Sequence, residues 1–303
     1  MLSEPGTPGD QKYPPTAHTL LDRSGTGSVP NVDRIAAAFD VEALRVALIV
    51  PAGSWARLDV VARTGSTNTD LIAAAATGAP DRTVLVAEHQ EDGRGRLTRT
   101  WTSPPASGLT VSVLLRPEGV PTSRFGWLPL LTGLAVLDTV RAYTTARSGL
   151  KWPNDLLLGE RQLKAAGILA EVVDGPVPAV VVGIGLNVTA APPDEAGATC
   201  LAAEGAPDVD RAAVLVALLA RLAEREARWR AGAGDPDTGG LRADYRAGCA
   251  SLGSEVRVKL PGGRATVGIA EDVDRDGCLL LLDATGRRRP VAAGDVVHLR
   301  PAG

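Results

Sequence analysis

Apolar and polar positions along the chain switch several times between a period of two and helical spacing, with turn residues between the segments. "WARLDVVAR" (55–63) alternates like a half-buried strand, and "STNTDLIAAAATG" (66–78) predicts a capped helix ending at Gly78. "TVLVAEHQ" (83–90) and "LTVSVLLR" (109–116) read as strands on either side of the loop "EDGRGRLTRTW". "RFGWLPLLTGLAVLDTVRAYTTA" (124–146) has the spacing of a buried helix. Three strands follow. "KWPNDLLL" and "QLKAAGILAEVV" are joined through "GE", whose glycine suits a two-residue type II′ hairpin, and "AVVVGIGLNV" (179–188) returns beside them. A long helix over 208–230 takes Asp208 as its N-cap. After the glycine-rich 231–240 and a short helix come "EVRVKL", "ATVGIAEDV", "CLLLLDA" and "RRPVAAGDVVHL", whose even spacing predicts a small all-β barrel. Upstream, 31–49 holds at most two short helices, and 1–30 has the Pro/Gly/Ser/Thr composition of a disordered tail. The expectation is an α+β chain: a mixed β-sheet body with flanking helices over 31–248 and a barrel over 249–303.

Composition narrows the function classes. At 303 residues and 45% hydrophobic the chain can build a real core. No apolar run approaches the ~20 residues of a membrane span, and the first residues lack the apolar region of a signal peptide. Cys200, Cys249 and Cys278 are too widely spaced for a disulfide framework or a zinc site, which suits a reducing cytoplasm. A net charge of −3 argues against general nucleic-acid binding, so an anion site has to be a local basic patch. The 32 cations include only four lysines, Lys12, Lys151, Lys164 and Lys259, and two of them fall in "KWPNDLLLGERQLKAAGILAE" (151–171). An ammonium is a compact point charge, whereas guanidinium is a broad fork, so a chain that otherwise uses arginine has a use here for the smaller cation.

Several stretches carry candidate chemistry. In "GRGRLTRTW" (93–101) Gly93 and Gly95 let the backbone approach an anion, and Arg94, Arg96 and Arg99 can fork onto phosphate or carboxylate. It is neither a Walker A loop nor a G-x-G-x-x-G fingerprint, and a solvated surface loop is the ordinary alternative. "GSTN" (65–68) places hydroxyl and amide groups at a helix N-terminus, where a plain N-cap is the commoner use. With Gly159 and Glu160 as the hairpin loop, Leu158 faces Arg161 and Asp155 lies directly opposite Lys164, ~5 Å away at Cβ. Lys151 and Pro153 then share that face. An exposed cross-strand ion pair would contribute under ~1 kcal/mol. Lys164, however, sits in the apolar run "KAAGILA", and Gly167 leaves room for a close approach. "GIGLNV" (183–188) ends a strand with two glycines and the rare Asn187, and serves equally as a bulge and turn or as part of a site. His18, His89 and His298 show no metal or triad spacing, and no serine lies in G-x-S-x-G.

Taken in order, "GSTN", "EHQEDGRGRLTRTW", "KWPNDLLL", "KAAGILAE" and "GIGLNV" resemble the biotin protein ligases over about residues 55–300. The resemblance implies a class II synthetase-like biotin/lipoate ligase fold with a C-terminal SH3-like barrel. It implies ATP-dependent activation of biotin to biotinyl-5′-AMP and transfer to a lysine of a biotin carboxyl carrier protein domain of a carboxylase such as acetyl-CoA carboxylase. Mg²⁺ would accompany ATP, held largely by the nucleotide, with no direct protein ligation expected. Carried over motif by motif, Ser66, Thr67, Asn68, Gln90, Arg94, Gly95, Arg96, Lys164 and Gly167 would bind biotin. Arg94, Arg96, Arg99, Trp101, Lys151, Asn154, Asp155, Lys164 and Asn187 would serve ATP and the adenylate. Lys164, Asp155 and Arg94 would be catalytic, with Asp155 either accepting the attacking amine's proton or orienting its neighbours.

Two departures stand out. The family loop GRGRRGRxW has Leu97 and Thr98 here in place of Arg and Gly, and "GATCLAAEG" (197–205) offers no aromatic to stack on adenine. Repressor members carry an N-terminal winged helix; the short sequence before Trp55 points to a ligase alone, without specific DNA binding, as a monomer or weak homodimer. A lipoate or octanoate ligase shares the adenylation logic, but the "GRGR" loop argues against it. A non-catalytic nucleic-acid-binding regulator conflicts with the net acidity.

Overall fold

The computed structural model describes residues 39–96, 99–260, 263–292 and 294–298. The tail expected over 1–30, the loop positions Leu97 and Thr98, and residues 299–303 lie outside them. A seven-stranded sheet in the order β1-β2-β3-β7-β6-β5-β4 forms the body, parallel between β1 (Arg57–Thr64) and β2 (Thr83–Gln90) and antiparallel elsewhere. Central β3 (Gly108–Leu115) is buried at every position. Its Leu109, Val111, Val113 and Leu115 face the main core, where α3 (Trp127–Tyr143) and α4 (Arg211–Ala231) pack. β7 (Ala179–Asn187) does the same with Val180, Val182, Ile184 and Leu186. Among the described residues the opposite face carries one helix, the ten-residue α2 (Thr67–Ala76), whose Leu71, Ala74 and Ala75 make a smaller core with Leu85, Leu114 and Val181. Strand alternation therefore sends Thr110, Ser112, Gly183 and Gly185 to a face that one short helix half covers. The remainder of that face is available to a ligand. Where at most two short helices were expected in 31–49, α1 (Val41–Leu48) is described, and 31–38 lie outside the described residues.

Three local expectations need correction. "KWPNDLLL" is not one strand: β4 (Ser148–Lys151) and β5 (Asp155–Leu158) pair with each other across Trp152–Asn154, with Lys151 opposite Asp155. The next turn is not a two-residue hairpin. Leu158 pairs with Leu163, so four residues close it, with Gly159 (φ 77°) and Gln162 (φ 51°) both left-handed. β6 (Leu163–Val173) then carries a bulge that sets Lys164 beside Leu157 and Gly167 beside Asp155. The third concerns α4, whose side-chain cap is Asp210, accepting from Ala212 and Ala213 N–H, in place of Asp208.

After α5 (Leu241–Gly248), β8 (Glu255–Lys259), β9 (Ala265–Val273), β10 (Leu279–Leu282), β11 (Arg288–Val291) and β12 (Asp295–His298) form an antiparallel sheet in the order β11-β10-β9-β8-β12. The stretch "RRPVAAGDVVHL" is thus two strands. Among the described residues β11 and β12 share no ladder, so the sheet is open where a closed barrel was expected. It is tied to the body by Trp127 Nε1 donating to Arg275 O (2.9 Å) and Trp152 Nε1 donating to Gly277 O (3.1 Å).

Candidate active site

Over the uncovered face lies a cavity of about 370 Å³, the size of a small-molecule site. Its walls come from the start of α2, the loop after β2, the glycines of β6 and β7, the segment 195–197, and Asp295.

One end is neutral and rich in hydrogen-bonding groups. Ser66 caps α2 in extended backbone (φ −158°), which aims Thr67 and Asn68 at the sheet. Gln90 Oε1 accepts from Thr67 N–H (2.8 Å) and from Thr67 Oγ1 (2.9 Å), leaving the Gln90 amide N–H groups for another acceptor. Ser112 Oγ, rising from β3, sits 2.6 Å from Asn68 Oδ1 and 2.7 Å from Thr67 Oγ1. Gly183 makes room for the Asn68 amide, because a Cβ there would stand 2.3 Å from Oδ1.

The other end is cationic. Lys164 Nζ lies 2.9 Å from Asp155 Oδ1, although the register does not set the two residues opposite each other. The bulge turns Lys164 to the face of Asp155. Gly167, directly opposite Asp155, has no side chain in the way, and a Cβ there would press on Lys164 Cε and Nζ at 3.3 Å. The ammonium is ion-paired with Asp155 on one side, and a group with three N–H donors has others left for a ligand. Lys151 Nζ approaches the same carboxylate at 3.8 Å. On the edge away from β5, Lys164 N–H donates to Gly197 O (2.8 Å) and Lys164 O accepts from Thr199 N–H (2.9 Å). Asn187 anchors that segment by donating to Thr199 O (3.0 Å).

The basic loop bridges the two ends. Trp101 lies flat on the glycine floor, where a Cβ on Gly185 would meet Trp101 Cε2 at 2.1 Å, and Lys164 Nζ stands 5.5 Å from the ring centroid. Arg94 pairs with Glu171 (2.8 Å) near the neutral end. Arg99 pairs with Asp295 (2.5 Å), and Arg96 donates to Gly294 O (3.1 Å), so the C-terminal sheet reaches into the site. Burial pushes the Arg96 guanidinium down from its usual range while Asp295 and Asp155 pull it up, and it stays charged.

Of the residues singled out in the sequence, Ser66, Thr67, Asn68, Gln90, Arg94, Gly95, Arg96, Arg99, Trp101, Asn154, Lys164 and Gly167 line this one cavity. Asp155, Lys151 and Asn187 stand behind its wall, touching it through Lys164 and the 197–199 segment. Sequence reading passed over Ser112, Glu171, Glu195, Gly197 and Asp295. No pattern marks them, because each is recruited by pairing between segments distant in the chain. The alternate glycines of β7 were a legible sign that something lies close to that strand.

The family model for the biotin/lipoate A/B protein ligase family matches residues 60–187, and that for the biotin protein ligase C-terminal domain matches 251–299. A biotin--[acetyl-CoA-carboxylase] ligase of Mycobacterium tuberculosis is 49% identical, covering 88% of this chain and 98% of the relative. A bifunctional ligase/repressor BirA of Bacillus subtilis is 31% identical, covering 78% of this chain and 71% of the relative. Among solved structures, a biotin protein ligase from Aquifex aeolicus in complex with biotin and ATP is similar at a TM-score of 0.66 and 28% identity, over 81% of this chain and 100% of that one.

Proposed function

The chain belongs to the biotin protein ligases of the biotin/lipoate A/B protein ligase family, and on that footing we propose that its cavity activates biotin with ATP and delivers it to a carboxylase carrier lysine. The observation that carries the reading is the polarity of this cavity: neutral donors and acceptors at the α2 end, and Lys164, Arg96 and Arg99 at the other.

In the first step a biotin carboxylate oxygen bonds to the α-phosphorus of ATP, the bond from that phosphorus to the bridging oxygen breaks, and pyrophosphate leaves. Two anions have to meet, so fixed cations must hold both and the charge that builds on phosphorus. Lys164 is a point charge between them, fixed from behind by Asp155 and from the side by Trp101. Asp155 is engaged with two ammonium groups and does not line the cavity, so its task is to orient Lys164. Arg96 and Arg99 grip phosphate, and Trp101 offers the aromatic face that 197–205 lacks. In the second step the neutral carrier amine attacks the carbonyl carbon of the mixed anhydride, the C–O bond to phosphate breaks, the amine's surplus proton passes to water, and AMP departs with the charge held by the same cations.

Mg²⁺ would neutralise the β- and γ-phosphates. Among the described residues no group of three His, Cys, Asp or Glu side chains is placed to hold a metal ion, and a Mg²⁺ arriving with ATP would take most of its oxygens from the triphosphate and water. The carrier is a biotin carboxyl carrier domain, the protein acts as a monomer or weak homodimer in the cytoplasm, and it reads no DNA sequence. Among the described residues no helix is long and apolar enough to cross a membrane.

Lipoate is disfavoured because a dithiolane offers no hydrogen-bonding partner to the Gln90 amide N–H groups or to the second lone pair of Asn68 Oδ1, which the neutral end leaves over after its internal bonds. The test is ATP–pyrophosphate exchange with biotin, lipoate or octanoate, followed by labelling of a carrier domain and a gel shift at physiological salt. Exchange with biotin alone is expected. Equal exchange with lipoate would overturn the substrate assignment.

A further inference from the structure

Glu171 lies on β6 two residues beyond the cavity wall at Leu169, and both of its carboxylate oxygens are engaged by residues of the pocket. Oε2 accepts from Asn68 Nδ2 at 2.9 Å, and Oε1 pairs with Arg94 Nη2 at 2.8 Å. Asn68 Nδ2 also donates to Leu169 O (3.2 Å), and its Oδ1 lies 2.6 Å from Ser112 Oγ. The two ends of an amide have nearly the same shape, so its partners decide which way it faces. An ionised carboxylate can only accept. Glu171 therefore takes the NH₂ end and turns the carbonyl oxygen of Asn68 toward Ser112 and the cavity, where its second lone pair is an acceptor.

We propose that Glu171 is a positioning residue for specificity: it sets the neutral end of the pocket to receive a ring bearing N–H donors, and by its ion pair it holds Arg94 beside that end. The proposal rests on the biotin reading, since biotin's cyclic urea carries two N–H groups and a dithiolane carries none. A plain surface ion pair with Arg94, itself about half exposed, would contribute little. Asn68 is only 4% exposed, however, and an amide misdirected at that depth is costly.

Two substitutions separate the two contacts. Glu171→Gln can still accept from Asn68 but offers its NH₂ to Arg94, so the loop contact alone is lost. Glu171→Ala loses both. For Glu171→Ala the KM and Kd for biotin are expected to rise on the order of ten- to a hundredfold. The kcat at saturating biotin and the KM for ATP should stay within about twofold, the pattern of lost uniform binding. Glu171→Gln should give a smaller rise, seen as faster biotin release. In an Asn68→Ala background Glu171→Ala should add less than about threefold, because its effect passes through that amide. An unchanged biotin KM in a Glu171→Ala protein that melts like the wild type would overturn the proposal. So would full additivity with Asn68→Ala, or an equal loss in kcat and ATP KM. A wild-type protein without biotin-dependent exchange would fail the substrate reading itself, a result distinct from these.

Discussion

Gly185→Ala tests the glycine floor beneath Trp101. Gly185 sits within β7, paired with Thr110 on one side and Gly167 on the other, and its backbone is not among the left-handed glycines. The main chain therefore accepts alanine, and the whole effect falls on what lies above. The new Cβ would stand 2.1 Å from Trp101 Cε2 and 2.5 Å from Cζ2 and Nε1. Carbon atoms in contact need ~3.5–4 Å, so the indole has to lift by roughly 1.5 Å. Keeping the ring in place would store about 1–3 kcal/mol of overpacking strain. Lifting it drags the loop, because Trp101 N donates to Gly93 O at 2.7 Å. Either way the cations of the loop lose their alignment, and displacement of about 1 Å at a reacting centre costs on the order of a hundredfold in rate. The exchange assay should show the KM for ATP raised at least about tenfold and the rate reduced by ~10², while the neutral end still binds biotin. Gly175→Ala is the control, since its Cβ would meet only Val177 O at 3.8 Å. Exchange within twofold of wild type for Gly185→Ala would refute the argument that Trp101 must lie on that floor.

Lys164→Ala is expected to slow adenylation by on the order of 10²–10³, and Lys164→Arg should not restore it, because Gly167 and Trp101 fit closely around the ammonium; near-normal rates for the arginine variant, by pyrophosphate exchange, would show that the shape of the cation is immaterial. Arg96→Gly should still form the mixed anhydride but let it escape, so that bystander proteins become biotinylated, since Arg96 lies at the cationic end near Asp155 and Asp295 whereas Arg94 is held by Glu171. Loss of adenylation with no bystander labelling would assign Arg96 to formation of the intermediate and not to its retention. His298, 3.0 Å from Ser251 Oγ, has its pKa pushed down by burial first and by Lys151 second. The unfolded chain therefore takes up that proton first, near pH 6.5. The stability tied to neutral His298 is complete above that value and is lost as pH falls toward the lower folded pKa. Urea midpoints at pH 7.5 and 5 should differ less in His298→Asn than in the wild type.

The local layer of this protein was legible in its residues. Alternation and helical spacing marked β1, β2, β3, β7 and all three longer helices, because periodicity reports which face of an element is buried. Rarity of lysine pointed to Lys164, and its partnership with Asp155 was anticipated from a register that the structure does not have. The real register depends on a bulge, on a four-residue turn with left-handed Gly159 and Gln162, and on a floor without side chains at Gly167 and Gly185. The glycines themselves stand in the sequence, but the bulge, and the placing of Gly167 beside Gly185, follow only from pairing β6 with both β5 and β7 at once. The same holds for the carboxylates around the arginines. Glu171 and Asp295 stand 77 and 196 positions beyond their partners Arg94 and Arg99, and only the packed sheets bring them within ion-pair distance. Residue type and spacing thus determined which elements form and which cations matter. The tertiary structure decided which anions face them, because charge pairing is set by distance in space, and the sequence specifies that only through the sum of its long-range contacts.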